Sequence, residues 1–86
     1  MARTRTPANI VGPQIRMRRN QLGLTQEEFA ARCQLHGLDI SRGTLSQIEA
    51  QLRCVKDVEL LALARVLKVS TDSLFRAESR RSKRTE

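Results

Sequence analysis

The stretch Thr25 to Glu49, TQEEFAARCQLHGLDISRGTLSQIE, places two helix starts close together and leaves few architectures open. Thr25 has the chemistry of an N-cap, and Gln26, Glu27 and Glu28 follow it. Carboxylates in a first turn suit the positive end of the helix dipole, and Glu28 at the third helical position completes a capping box with Thr25. Phe29, Ala30 and Cys33 then recur at helical spacing, giving one apolar face. His36 and Gly37 end this helix, with Gly able to take the left-handed conformation after it. Ser41 is the next N-cap, and Leu45 and Ile48 lie three apart on a second short helix. Two capped helices joined by a turn containing Gly form a helix-turn-helix.

The segments GLTQEEFA and ISRGTLSQIE resemble those of the lambda-repressor-like (Cro-type, or XRE-type) helix-turn-helix family of DNA-binding regulators. The matching positions are Gly23, Leu24, Thr25, Gln26, Glu27, Phe29 and Ala30, then Ile40, Ser41, Leu45, Ser46, Ile48 and Glu49. Resemblance continues through Ile15, Arg16 and Arg19 upstream and Leu60, Leu63, Ala64, Leu67, Val69, Ser70 and Leu74 downstream, covering residues 10–76. It implies an all-α fold, a compact bundle of five short helices with the motif formed by helices two and three. Two features depart from the family pattern. Residues Cys33 to Asp39 make the connection about five residues longer than the commonest spacing, so either the second helix or the turn is extended. Gly43 lies inside the expected recognition helix, where it costs about 1 kcal/mol relative to Ala.

Read along the chain, residues 1–9 are expected to be a flexible basic arm, 10–76 the DNA-binding domain and 77–86 a disordered basic tail with almost no apolar content. Gly12-Pro13 starts the first helix, on which Ile15 and Leu22 are expected to face the core. The second helix is expected over 26–36, the third over 42–50 and the fourth over 56–68. Leu60, Leu63, Ala64 and Leu67 form the core stripe of the fourth helix. Val58 and Leu61 lie off that stripe and either widen the core or mark an association surface. Ser70 or Thr71 caps a last turn whose Leu74 and Phe75 close the core.

Net charge is +7, yet residues 10–75 hold nine basic and seven acidic side chains, so most of the excess sits at the two ends. Basic ends draw a protein to a polyanion without specifying sequence, or simply keep it soluble. At 86 residues the chain makes one domain with a small core, and dimerisation would support it. No apolar run reaches membrane-spanning length, and the start MARTRTPAN lacks the apolar core of a signal peptide, which implies no membrane and a cytoplasmic, nucleoid-associated protein. Cys33 and Cys54 read as a reduced pair, and the lone His36 with no CxxC spacing argues against a metal or other cofactor.

Catalysis finds little support: there is one His and no Gly-rich phosphate loop, and Glu27-Glu28 is accounted for by capping. Nucleic acid is the better-supported partner. A helix fits the major groove of double-stranded DNA, and in this motif the second helix enters it. The base-reading candidates are Arg42, Gly43, Thr44, Ser46 and Gln47. Arg42 suits guanine O6 and N7, the Gln47 amide suits adenine, the Thr44 methyl suits thymine, and Gly43 permits close backbone approach. The phosphate-binding candidates are Thr25, Gln26, Ser41, Gln51, Arg53 and Lys56. For Gln26 the family resemblance implies that role. It also implies that Arg19 and Glu49 form an ion pair that orients the recognition helix. The leading expectation is a sequence-specific transcriptional regulator, a repressor acting as a homodimer. The alternative is an antitoxin or adaptor that uses the same fold to dock a protein partner, and non-specific binding through the charged ends is a third reading.

Overall fold

Proline at position 13 has no N–H to leave unpaired, and its fixed φ suits a first helical turn. It opens α1 (Gly12–Gln21) in the computed structural model, which describes residues 7–75. Four helices follow: α2 (Gln26–Leu35), α3 (Arg42–Glu49), α4 (Asp57–Leu67) and the single turn α5 (Thr71–Leu74). No strand occurs among the described residues. The tail 77–86 and residues 1–6 of the arm lie outside them.

Each boundary has a local cause. Thr25 Oγ1 accepts from the Glu28 N–H at 3.0 Å while Glu28 Oε1 accepts from the Thr25 N–H at 2.9 Å, a complete capping box. Ser41 and Ser70 cap α3 and α5 through their hydroxyls. Gly37 takes φ +88° after α2, which a β-carbon would resist. Helices α2, α3 and α4 each end one residue earlier than the sequence suggests, because His36, Ala50 and Lys68 are C-caps. Lys56 likewise precedes α4 rather than belonging to it.

The extended connection is a longer turn, not a longer helix. Residues 36–41 separate α2 from α3, and they are tied down rather than looped out. The Leu38 N–H bonds the Cys33 carbonyl at 2.9 Å, Gln34 Nε2 donates to the Ile40 carbonyl at 2.9 Å, and Ile40 is buried.

The core is built from Ile15, Phe29, Cys33, Leu45, Ile48, Leu63 and Leu67, all fully buried, with α1 and α2 both packed on α3 and α4. Burial raises the Cys33 thiol to about 11, so it stays protonated at neutral pH. Several core expectations need correction. Leu22 is 36% exposed, because it is the C-cap of α1, where the chain leaves the packed face. Leu60 is only half-buried, and Val66 takes a full core position instead. Contacts with α1, α2 and α5 on α4 widen its buried face beyond a single stripe. Val58 and Leu61 do not widen the core; they are exposed, as is Phe75.

The start of α1 approaches the end of α3 closely. A β-carbon at Gly12 would run into the Ile48 carbonyl oxygen and lie 3.0 Å from that of Glu49, so only glycine fits. Gly12→Ala should destabilise the fold by about 1–3 kcal/mol through overpacking, read as a lower denaturant midpoint at unchanged m-value. Leu63→Ala should cost about 2–5 kcal/mol in the same experiment.

Candidate nucleic-acid interface

Helix α3 divides its surface by its own periodicity. Leu45, Ile48 and Glu49 point into the protein, whereas Arg42, Gly43, Ser46 and Gln47 are exposed and Thr44 is half-exposed. The side chains of Arg42, Ser46 and Gln47 make no hydrogen bond to any described residue. At Gly43 an added β-carbon would meet only the Ser41 hydroxyl, at 3.9 Å, so this flank of the helix is open. Ser41 and Thr44 are partly committed. The Ser41 hydroxyl accepts from the Thr44 N–H and donates to Thr44 Oγ1, each at 3.1 Å.

The inward edge of α3 is held by charge. Arg19 Nε donates to Glu49 Oε2 at 2.7 Å and Arg19 Nη2 to Glu49 Oε1 at 2.9 Å, a two-pronged pair whose members are both buried. A third guanidinium N–H, on Nη1, reaches the Leu24 carbonyl at 2.7 Å. The hydrogen bond to Glu49, together with its charge, holds the Arg19 pKa above its ordinary value against the opposing effect of burial. Gln26 Nε2 adds a donor to Glu49 Oε1 at 3.1 Å. The carboxylate that ends α3 is therefore shared by α1 and the first residue of α2.

This geometry redistributes the phosphate candidates. Thr25 and Ser41 are exposed but serve as caps, and the Gln26 amide is engaged by Glu49. Gln51 adopts φ +64° and donates through Nε2 to the Asn9 carbonyl at 2.9 Å, so its amide is used inside the fold. Arg53 forks onto Glu59, with Nη1 3.1 Å from Oε1 and Nη2 2.9 Å from Oε2. Lys56 remains exposed at the start of α4.

Asn9 was not legible as a structural residue within an arm expected to be flexible, yet its side chain makes three hydrogen bonds in the fold. The available signal was its place three residues before Gly12-Pro13, the spacing at which a side chain can cap a helix start.

Within the described residues, no helix is long and apolar enough to cross a membrane. A helix-turn-helix family model matches residues 15–74. Among solved structures, the restriction-modification controller protein C.AhdI from Aeromonas hydrophila is similar, with 34% sequence identity and a TM-score of 0.64. The match covers 76% of this chain and 87% of that one. No curated protein matches the chain.

Removing the Arg19 guanidinium strands a buried carboxylate. Arg19→Met should therefore cost about 3–5 kcal/mol, measured by equilibrium unfolding. Glu59 supplies a pH test. The hydrogen bond from Arg53 holds its carboxyl below the usual glutamate range, aided by the Lys56 backbone N–H and opposed by burial. A carboxyl whose folded pKa is depressed contributes stability above its unfolded pKa of about 4.3 and loses it as pH falls through the folded value. Glu59→Gln should thus lower the melting temperature at pH 7 and leave it near wild type at pH 2.

Proposed function

The chain belongs to the Cro-type helix-turn-helix family and is a DNA-binding transcriptional regulator rather than an enzyme; from that premise we propose that it is a repressor whose sequence specificity resides on the outer face of α3. One observation carries this reading. Arg42, Ser46 and Gln47 are exposed and uncommitted on one helix face, while most polar side chains along the inner edge of that helix are bonded into the scaffold.

With the N-terminal half of α3 in the major groove, Arg42 pairs with guanine O6 and N7 through two parallel N–H donors. Gln47, five residues further along in the second half of α3, reads an adenine edge where that half follows into the groove, and Ser46 offers a hydroxyl beside it. The Thr44 methyl meets a thymine methyl, and Gly43 lets the backbone approach. Because the capping box uses the Thr25 and Glu28 N–H groups, those of Gln26 and Glu27 remain to face a phosphate at the start of α2. Ser41 and Lys56 flank the groove, and Arg53 and Gln51 hold the segment after α3 in shape instead of binding phosphate directly.

A small core and a single reading helix per chain both favour a homodimer. Two copies would read half-sites one helical turn, about 34–36 Å, apart on two-fold symmetric DNA. Such a regulator works where the nucleoid is, in the cytoplasm. The likeness to C.AhdI supports a narrower role, control of restriction-modification genes. Selected sites lying ahead of such genes would support it, and sites found only elsewhere would remove it.

Selection of binding sites from a random duplex pool at about 150 mM salt, where screening weakens non-specific contacts, tests the main reading. An enriched palindrome is the expected result; a pool that stays random rules out sequence reading. On the enriched duplex, Arg42→Ala should cost about 1–3 kcal/mol and relax preference at one base pair, with little change on random DNA.

A further inference from the structure

The last turn of a helix leaves carbonyl groups without intrahelical partners, and α3 is short enough that its end governs its placement. Two features hold that end against the start of the chain. One is the Gly12 contact with the Ile48 and Glu49 carbonyls. The other is Asn9. Its Nδ2 donates one hydrogen to the Ile48 carbonyl at 3.0 Å and one to the Arg53 carbonyl at 2.8 Å, while Oδ1 accepts from the Gly12 N–H at 2.8 Å. Both amide hydrogens are thereby used.

The same side chain thus does three jobs. It caps α1, whose own N-cap residue Val11 has no polar side chain to do so. It adds a second hydrogen bond to the Ile48 carbonyl in the last turn of α3, which also accepts from the Gln51 N–H. It also fixes the segment after α3. The backbone around it is bonded in the same direction: the Ala8 N–H donates to the Gln51 carbonyl at 3.0 Å, and the Asn9 carbonyl accepts from Gln51 Nε2 at 2.9 Å. Gln51 sits at φ +64°, a left-handed conformation that a non-glycine residue adopts only where its surroundings enforce it. This clasp and the Arg19–Glu49–Gln26 network both hold the C-terminal end of α3, at the adjacent residues Ile48 and Glu49.

We propose that Asn9 is a positioning residue for DNA reading: by clasping the C-terminal end of α3 onto the start of α1, it sets the angle at which the outer face of α3 meets the bases. The inference rests on the base-reading role given to α3. Asn9 itself touches no base. Base recognition needs side chains held to within a fraction of an ångström, whereas attraction to phosphate charge tolerates a tilted helix. Loosening the clasp should therefore erode discrimination between sequences and leave general DNA affinity intact.

The test uses the full chain and two uncharged variants, Asn9→Ala and Asn9→Ser. Serine keeps an acceptor for the Gly12 N–H, so α1 stays capped while both donors to the α3 end are lost. Affinity is measured for the duplex that the wild type enriches and for a random-sequence duplex of equal length, at a temperature where circular dichroism shows each protein folded. The expected result is a fall of about tenfold on the enriched duplex, comparable to one mismatched base pair, with random-duplex affinity unchanged. Hydrogen exchange adds a readout without DNA. The amides of Gln51 and Leu52, which bond back to α3 carbonyls, should exchange faster in the variants, while those of α2 and α4 do not. An unchanged ratio of the two affinities in folded Asn9→Ser overturns the proposal, as does uniform acceleration of exchange across the fold. If the wild type enriches no duplex at all, the base-reading role of α3 fails first and the proposal fails with it.

Discussion

A buried carboxylate at the end of α3 is the point on which this structure turns. Glu49 has left water, and a charge in that position is tolerated only when its oxygens are fully bonded. Arg19 supplies two of those bonds from α1 and Gln26 a third from α2. Arg19 is bonded in turn to the Leu24 carbonyl between these helices. Such a pair adds little net stability compared with apolar side chains of the same volume, because desolvation offsets most of its attraction. Its value lies in direction. Hydrophobic contact fixes that α3 is buried along one side, but it tolerates sliding and tilting. A forked ion pair accepts one geometry.

The rest of the polar chemistry is arranged around that constraint. Arg53 is held by Glu59, Gln34 by the Ile40 carbonyl, Gln51 by Asn9 and Ser41 by Thr44. These side chains shape the turns before and after α3. What is left uncommitted on α3 is the outward set Arg42, Ser46 and Gln47. The base-reading role proposed for α3 needs that division. Groups already satisfied inside the protein have little to gain from a base, while exposed donors and acceptors exchange water for a base edge at small cost. Charge plays the complementary part. Residues 10–75 are nearly balanced in sign, and most of the excess positive charge lies toward the two ends of the sequence, away from α3.

The longer connection between α2 and α3 illustrates how an insertion is absorbed. A loop that merely bulged outward would leave α3 free to shift. Here Gly37 reverses the chain, Ile40 buries its side chain and Ser41 caps the next helix, so the added residues carry anchors of their own. The apolar side chains left on the surface of α4, Val58 and Leu61, together with Phe75 at the end of α5, are among several places, Leu35 and Leu52 included, where the single chain has not finished burying its hydrophobic area.

Much of this was written in the residues themselves. Thr25, Glu28, Ser41 and Gly37 fix helix ends through local bonds and local conformational preference, which need no distant partner to be legible. The 3.6-residue spacing of Phe29, Cys33, Leu45 and Ile48 points to the faces that meet, and with it the helices, their order and the outward set on α3. Only the tertiary structure decided what depends on residues far apart in sequence. The breadth of the buried face of α4, which takes in Val66 and only half-buries Leu60, reflects how many helices surround it. The engagement of Gln26, Gln51 and Arg53, each a phosphate candidate by position, follows from partners that meet them only in the folded chain. Asn9 gave no sign of its clasp for the same reason: its bonds to Ile48 and Arg53 span more than half of the described residues, and no local pattern encodes a contact made at that distance.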